Sequence, residues 1–234
     1  MSEAEARQRE ERQAAIAAAG MIDNWKGQVE LGASRSTGRT SYLGLFGSVG
    51  LDREGIEWRH KVQARAELQE GRNVDDWERL LASWQPNYKL GERLYAYGLT
   101  QFESDSKQGY DGRYTAGGGL GYGVLRGDKA RLDVEGGPAL RHIDPMKGSA
   151  YSTVAARASV NLRWAVAPTL ELKQASALYL EEGDTNANFL TTLDARLLGP
   201  LKARLSYDVR YEDSIRSKGS NLDTLSRATL VYSF

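Results

Sequence analysis

Cysteine is absent from this 234-residue chain, which removes disulfides, thiol nucleophiles and thiolate metal sites together and leaves the redox compartment undecided. Histidine is scarce, with two residues. An excess of one charge is missing too. Lys plus Arg number 31 and Asp plus Glu number 31, so no global charge points to nucleic acid or to an anionic surface. No uninterrupted apolar run reaches about 18 residues, which excludes a helical membrane span. The negative mean hydropathy does not exclude a membrane barrel, because lumen-facing and lipid-facing residues alternate along its strands and dilute one another.

What is present falls into two parts. Residues 2–19, SEAEARQREERQAAIAAA, are good helix formers with almost nothing to anchor a core, and Gly20 ends the pattern. Residues 1–20 therefore read as a charged, Ala-rich leader helix, either periplasmic or inserted in a polar lumen. The segment lacks the apolar core of a secretory signal, so an export signal is expected to be missing or already cleaved. From Trp25 onward a period of two runs to the end, and residues 21–234 read as one β-barrel. Twelve strand candidates emerge, at 25–33, 41–51, 55–69, 77–86, 93–103, 113–126, 129–142, 150–166, 169–181, 187–198, 201–212 and 222–234. In the third, Ile56, Trp58, Val62, Ala64, Ala66 and Leu68 share one parity, while Glu57, Arg59, Lys61, Gln63, Arg65 and Glu67 share the other.

A soluble sandwich alternates in the same way, so the solvent is read from connections and aromatics. Polar stretches such as SRSTGR, EGRNVDD, SDSKQGYDG and EDSIRSKGSN alternate with shorter turns such as DRE, GD, AP and GP, as when long outer loops alternate with short periplasmic turns. An even strand number then puts both termini on the short-turn side. Trp25, Trp58, Trp84, Trp164, Tyr232 and Phe234 occupy apolar-parity positions near that side, and Phe102, Tyr114, Phe189 and Tyr211 do so near the loops. Two rings of aromatics at two levels are the girdles of a transmembrane barrel. A soluble barrel would turn its large rings inward. The predicted fold is an all-β, 12-stranded antiparallel transmembrane β-barrel with a short N-terminal helix. The closing stripe Leu230, Tyr232, Phe234 reads as the lipid-facing end of the last strand. It resembles the C-terminal signal by which bacterial barrel-assembly machinery recognises its clients.

Four stretches carry a wider resemblance: WKGQVELGASRSTGRT from Trp25, YKLGERLYAYGLTQFESD from Tyr88, GYDGRYTAGGGLGYGVL followed by LDVEGGPALR, and YDVRYEDS with LDTLSRATLVYSF at the end. Over residues 25–234 the chain resembles the YdiY-like family of salt-induced outer membrane proteins, whose function is largely unknown. The resemblance implies a Gram-negative outer-membrane barrel and a link to salt or envelope stress. It supplies no substrate and no catalytic motif. The Ala-rich leader is not part of the family pattern.

Chemistry is thin. His60 has lipid-facing parity beside Trp58 and reads as an interfacial packing residue. His142 lies at a loop rim beside Asp144 without a third partner for a triad or a metal. EEGDTNAN, Glu181 to Asn188, carries oxygen ligands without the spacing of an EF-hand loop. AGGGLGYG, Ala116 to Gly123, lacks the βα context of a phosphate loop. No enzyme, cofactor or metal is expected. Gly117, Gly119, Gly121 and Gly123 instead leave one strand bare where Tyr95 and Tyr97 of its neighbour point inward, so the rings are expected to lie over the glycines.

Function is placed in the lumen. Its expected charged lining is Arg59, Lys61, Arg65, Arg79, Arg93, Arg113, Arg131, Asp133, Glu135, Arg157, Arg163, Lys173, Arg204, Asp208, Arg210 and Arg227, with Tyr95 and Tyr97 as lumen aromatics. Cations outnumber anions on this face, which predicts a narrow diffusion channel for small polar or anionic solutes with a weak preference for anions. The alternatives are an occluded structural or stress-response barrel and, with less material in the loops, an outer-membrane enzyme or adhesin. The expected partners are the lipid bilayer, the barrel-assembly machinery and small solutes, without nucleic acid. The wall shows no apolar patch beyond the lipid band, so a monomer is expected.

Overall fold

The computed structural model describes residues 24–36, 41–72, 76–214 and 219–234. The leader helix expected over residues 1–20 lies outside the described residues. Twelve strands follow in order: β1 (Trp25–Ser36), β2 (Ser41–Glu54), β3 (Trp58–Arg72), β4 (Trp77–Lys89), β5 (Leu94–Asp105), β6 (Tyr110–Arg126), β7 (Ala130–Pro145), β8 (Tyr151–Ala167), β9 (Leu170–Glu181), β10 (Asp184–Leu198), β11 (Leu201–Ser214) and β12 (Gly219–Ser233). Each pairs antiparallel with its sequence neighbours, and β1 pairs with β12, so the sheet closes on itself.

The alternation read from the sequence is the alternation of the wall. On β3, Glu67 is buried while Leu68 and Trp58 are exposed; on β11, Arg204, Ser206, Asp208 and Arg210 are buried while Leu205 and Tyr207 are exposed. Buried carboxylates and guanidiniums with exposed leucines invert the rule for a chain in water. The inversion fits a closed sheet whose outer face meets hydrocarbon and whose polar side chains meet one another inside.

Strands run further than the turn residues suggested. SDSKQGYDG, read as a loop, contracts to Ser106–Gly109 because β5 continues to Asp105 and β6 begins at Tyr110. Glu181 to Asn188 likewise becomes a hairpin with only Glu182 and Gly183 between β9 and β10. Polar alternation continues past the membrane band as paired strand, since ladder hydrogen bonds favour extension wherever both neighbours extend. The contrast between long and short connections is accordingly weaker than the sequence implied.

Two glycines show how rings complete the wall. At the seam, Gly27 and Phe234 exchange both backbone hydrogen bonds, N–H to O, at 2.8 and 2.9 Å. A Cβ on Gly27 would collide with the Phe234 ring, which lies over it on the outer face. The terminal aromatic thus covers the backbone where the barrel closes. Inside, Tyr95 pairs with Gly121 and its ring occupies the space a Cβ there would need, as the sequence suggested. Tyr97 pairs with Gly119, but the atoms nearest to a Cβ on Gly119 are backbone of Gly136 and Gly137 on β7. There the missing side chain permits close approach of two strands.

Gly27→Val should therefore displace the Phe234 ring and weaken closure by about 1–3 kcal/mol, the usual cost of overpacking. A lower urea midpoint of the heat-modifiable folded band on cold gels is the expected result. An unchanged midpoint would show that the ring plays no part in the seam.

Candidate functional site: the charged interior

The interior is built by parity. A residue type that would be solvated on a soluble sheet is here turned towards eleven other strands, so its charge must find a partner among them. Four groups of partners result.

Nearest the loop ends, Glu67 on β3 accepts from Arg79 of β4 at 3.2 Å and from Arg227 of β12 at 2.6 Å. Arg79 Nε also donates to Asp105 of β5 at 2.5 Å. Asp105 lies 3.7 Å from Arg210 Nη1. Since β5 and β11 stand on opposite sides of the twelve-strand ring, this contact crosses the full bore. Asp208 lies within 3.6 Å of both Arg65 and Arg227.

Beside this lattice, Arg113 of β6 donates to Glu103 at 2.9 Å, to Asn186 of β10 at 3.1 Å and to Glu212 of β11 at 3.5 Å. Arg141 is paired with Glu181. On the β4–β8 wall, Glu135 is the hub. It accepts from Gln85 at 2.8 Å, the Tyr95 hydroxyl at 3.0 Å, Arg157 at 3.2 Å and Ser159 at 2.8 Å. Toward the turns, Asp194 accepts from Arg204 and Lys173, and Arg204 continues to Glu30 at 2.8 Å.

Rings hold the guanidiniums in place. Arg59 lies over Tyr95, Arg157 over Tyr97, Arg113 over Tyr110 and Arg141 over Tyr179, at 4.3 to 5.2 Å from the centroids. Phe46 is flanked by Arg227 at 4.5 Å and Arg65 at 5.8 Å. A cation over a π face gains about 0.5–2 kcal/mol, more as water is excluded. A ring beside each arginine also restricts its long stem.

The expected lining residues are distributed unevenly. Arg65, Arg79, Arg113, Arg157, Arg204, Asp208, Arg210 and Arg227 fall within the groups above, as does Glu135, and Asp133 pairs with Arg126 at 2.8 Å. Lys61 is half-buried on β3. Arg163 and Lys173 share Glu171 near the turns. Arg93 sits exposed in the β4–β5 connection, and Arg131 is exposed at the start of β7. Sequence reading missed Asp105, because the strand was ended two residues too early, and Tyr110, because SDSKQGYDG was read as a loop; Phe46 and Tyr179 share the inward parity but were not singled out beside Tyr95 and Tyr97. Asp52 and Glu54 of β2 also fall on the inner parity; Glu54 pairs with Lys89. With Asp105, these carboxylates shrink the cationic surplus.

The two histidines are on the outer face. His60 stacks between Trp58 and Trp84, with centroids 6.0 and 6.2 Å away. Near the loop ends, Phe102 and Tyr114 pack at 5.1 Å, and His142 is next to Tyr114. Ser152 of β8 supplies the third group that the sequence lacked. Its Oγ is 2.9 Å from His142 Nδ1, and Asp144 Oδ1 is 3.5 Å from Nε2. The Asp contact is too long for an N–H···O bond, and the neighbouring amides are engaged in the β7–β8 ladder, so no donors converge on an oxyanion. In Glu181–Asn188, Glu181 and Asn186 are already engaged by arginines, which disfavours a calcium loop.

Comparison with known proteins agrees with this architecture. A family described as "Protein of unknown function, DUF481" matches residues 29–234. No curated protein matches the sequence. Among solved structures, the chain is similar to the NanC porin at TM-score 0.54 and 11% identity, covering 88% of this chain and 98% of that one. It is similar to the COG4313 outer membrane channel of Pseudomonas putida F1 at 0.52 and 12%, covering 92% and 100%. The translocator domain of the autotransporter NalP from Neisseria meningitidis matches at 0.51 and 12%, covering 98% and 95%. The fold is that of a bacterial outer-membrane β-barrel.

Burial separates structural from peripheral charges. Asp194→Ala should lower stability by about 2–3 kcal/mol, because it removes the carboxylate that Arg204 and Lys173 share and leaves them only Glu30 and Glu171. Arg163→Ala, whose side chain is 63% exposed, should cost under about 1 kcal/mol. Urea unfolding in detergent micelles measures both; equal effects would mean that the interior pairs are solvated like surface pairs.

Proposed function

Because the chain belongs to DUF481, a family described only as proteins of unknown function, we propose a function from its own interior: a narrow diffusion channel of the bacterial outer membrane for small polar solutes. The carrying observation is an interior lined by charged side chains from Glu67 and Arg79 through Glu135 to Asp194 and Arg204, crossed at one level by the Asp105–Arg210 contact at 3.7 Å between opposite strands. That contact sets a constriction flanked on both sides by charged and hydroxyl groups, whereas an apolar core would leave no route for water. Similarity in fold to the NanC porin and to an outer membrane channel supports the same reading. The remaining cationic surplus favours anions weakly, through the charge of the walls rather than a dedicated site. The sequence resemblance adds a role under salt or envelope stress.

The same contact favours a second reading, an occluded structural barrel, if the lattice from Glu67 through Arg79 and Asp105 to Arg210 never opens. Insertion through the barrel-assembly machinery, with Leu230, Tyr232 and Phe234 as the recognised stripe, is common to both.

Planar-bilayer recording separates them. The wild-type chain should give small discrete conductance steps with a reversal potential leaning to the anion side, and Asp105→Asn with Arg210→Ala should raise the step size several-fold. Absence of current above background from both chains would remove the channel and leave the occluded barrel. In cells, Phe234→Ser should lower the amount of heat-modifiable barrel recovered from outer membranes; normal recovery would show that the stripe is not read.

A further inference from the structure

The outer wall of β9 to β12 differs from the rest. Gln174, Thr191, Tyr207 and Ser226 are direct cross-strand neighbours, from Gln174 to Thr191, Thr191 to Tyr207 and Tyr207 to Ser226. All four alternate with the inward-facing charges and so face outward. Thr191 and Ser226 are the middle residues of their strands, and Tyr207 is central in β11. A row at mid-strand lies within the apolar band, about 25 Å tall in barrels of this kind. At mid-strand the wall of β1 to β8 presents Leu31, Ala66, Ala82 and Ala158, with Thr100 as an isolated hydroxyl.

Polar groups facing hydrocarbon are costly until they are hydrogen-bonded. Part of the row is satisfied within the chain: the Thr191 hydroxyl donates to Gln174 Oε1, and Gln174 Nε2 donates to Ser176 Oγ at 3.1 Å. A primary amide has two N–H donors and a phenol both donates and accepts, so capacity for hydrogen bonding outward remains at Gln174 and at Tyr207, which is 49% exposed.

We propose that this row is an interface for a second copy of the same chain, in place of the monomer expected from the sequence. Amides and hydroxyls donate and accept alike, so the row is complementary to itself under a two-fold axis normal to the membrane, passing between β10 and β11. Tyr207 of one copy then meets Thr191 of the other. A charged headgroup or a charged partner finds no opposite charge in the row. Uncharged polar side chains between membrane-embedded surfaces contribute modestly per bond and act together.

Absence of cysteine makes the test clean. Chains carrying Thr191→Cys and chains carrying Tyr207→Cys, produced together and oxidised in outer membranes, should give mixed disulfide-linked dimers several-fold above Ala82→Cys, which lies on the opposite wall. Native mass spectrometry of the wild-type chain in mild detergent should show a dimer. The triple variant Gln174→Leu, Thr191→Val, Tyr207→Phe should be monomeric while keeping its heat-modifiable folded band. Cross-linking at Thr191 and Tyr207 no greater than at Ala82 would overturn the proposal, as would an unchanged dimer in the triple variant.

Discussion

Everything in this protein follows from one constraint: in hydrocarbon, no backbone N–H or C=O can be left without a partner. A sheet in that medium has no tolerable edge, so it must close, and closure fixes the rest. It sends alternate side chains into a confined interior and alternate side chains into lipid. It also makes the junction of first and last strands the position where the structure is completed. The paired hydrogen bonds of Gly27 and Phe234, sealed by the Phe234 ring, meet that demand where β1 meets β12.

Confinement then governs the charges. Charged side chains on a flat sheet would spread into water, but here they converge. The response is shared pairing, in which Glu135, Asp105 and Asp194 each serve more than one donor. Such lattices are expensive to break at one member and cheap to remove as a whole, so individual members carry stability while the set as a whole decides how wide the bore is. Partial neutrality of the lattice explains how a chain with balanced formal charge keeps so many arginines in its interior.

Much of the fold was legible because a period of two holds along the body of each strand, with register shifts only near a few strand ends. The parity of β3 and β11 and the tryptophans near the turns could be read from adjacent residues alone, and the pairing of Tyr95 with Gly121 from the register of one hairpin. Strand ends were less legible, since polar residues such as those around Ser106 look the same in a loop and in a paired strand beyond the membrane. The candidate site was legible only by face. Parity identified Arg79 and Arg210 as inward, but which carboxylate each meets depends on contacts across the ring, between residues far apart in sequence. Phe46 and Tyr179 share the inward parity of the charges beside them, so their face was legible, but which arginine each ring meets depends on strands far away in sequence.

Arginine stacking has a dynamic side. A guanidinium flattened against Tyr95, Tyr97, Tyr110 or Tyr179, or held at one face of Phe46, cannot sweep the passage as a free lysine would. The electric potential along the axis is then stationary: a fixed relief of hills and wells cast by the tyrosine and phenylalanine planes. In the proposed channel a solute meets the same landscape each time, and what it feels is decided when the chain folds, before anything arrives.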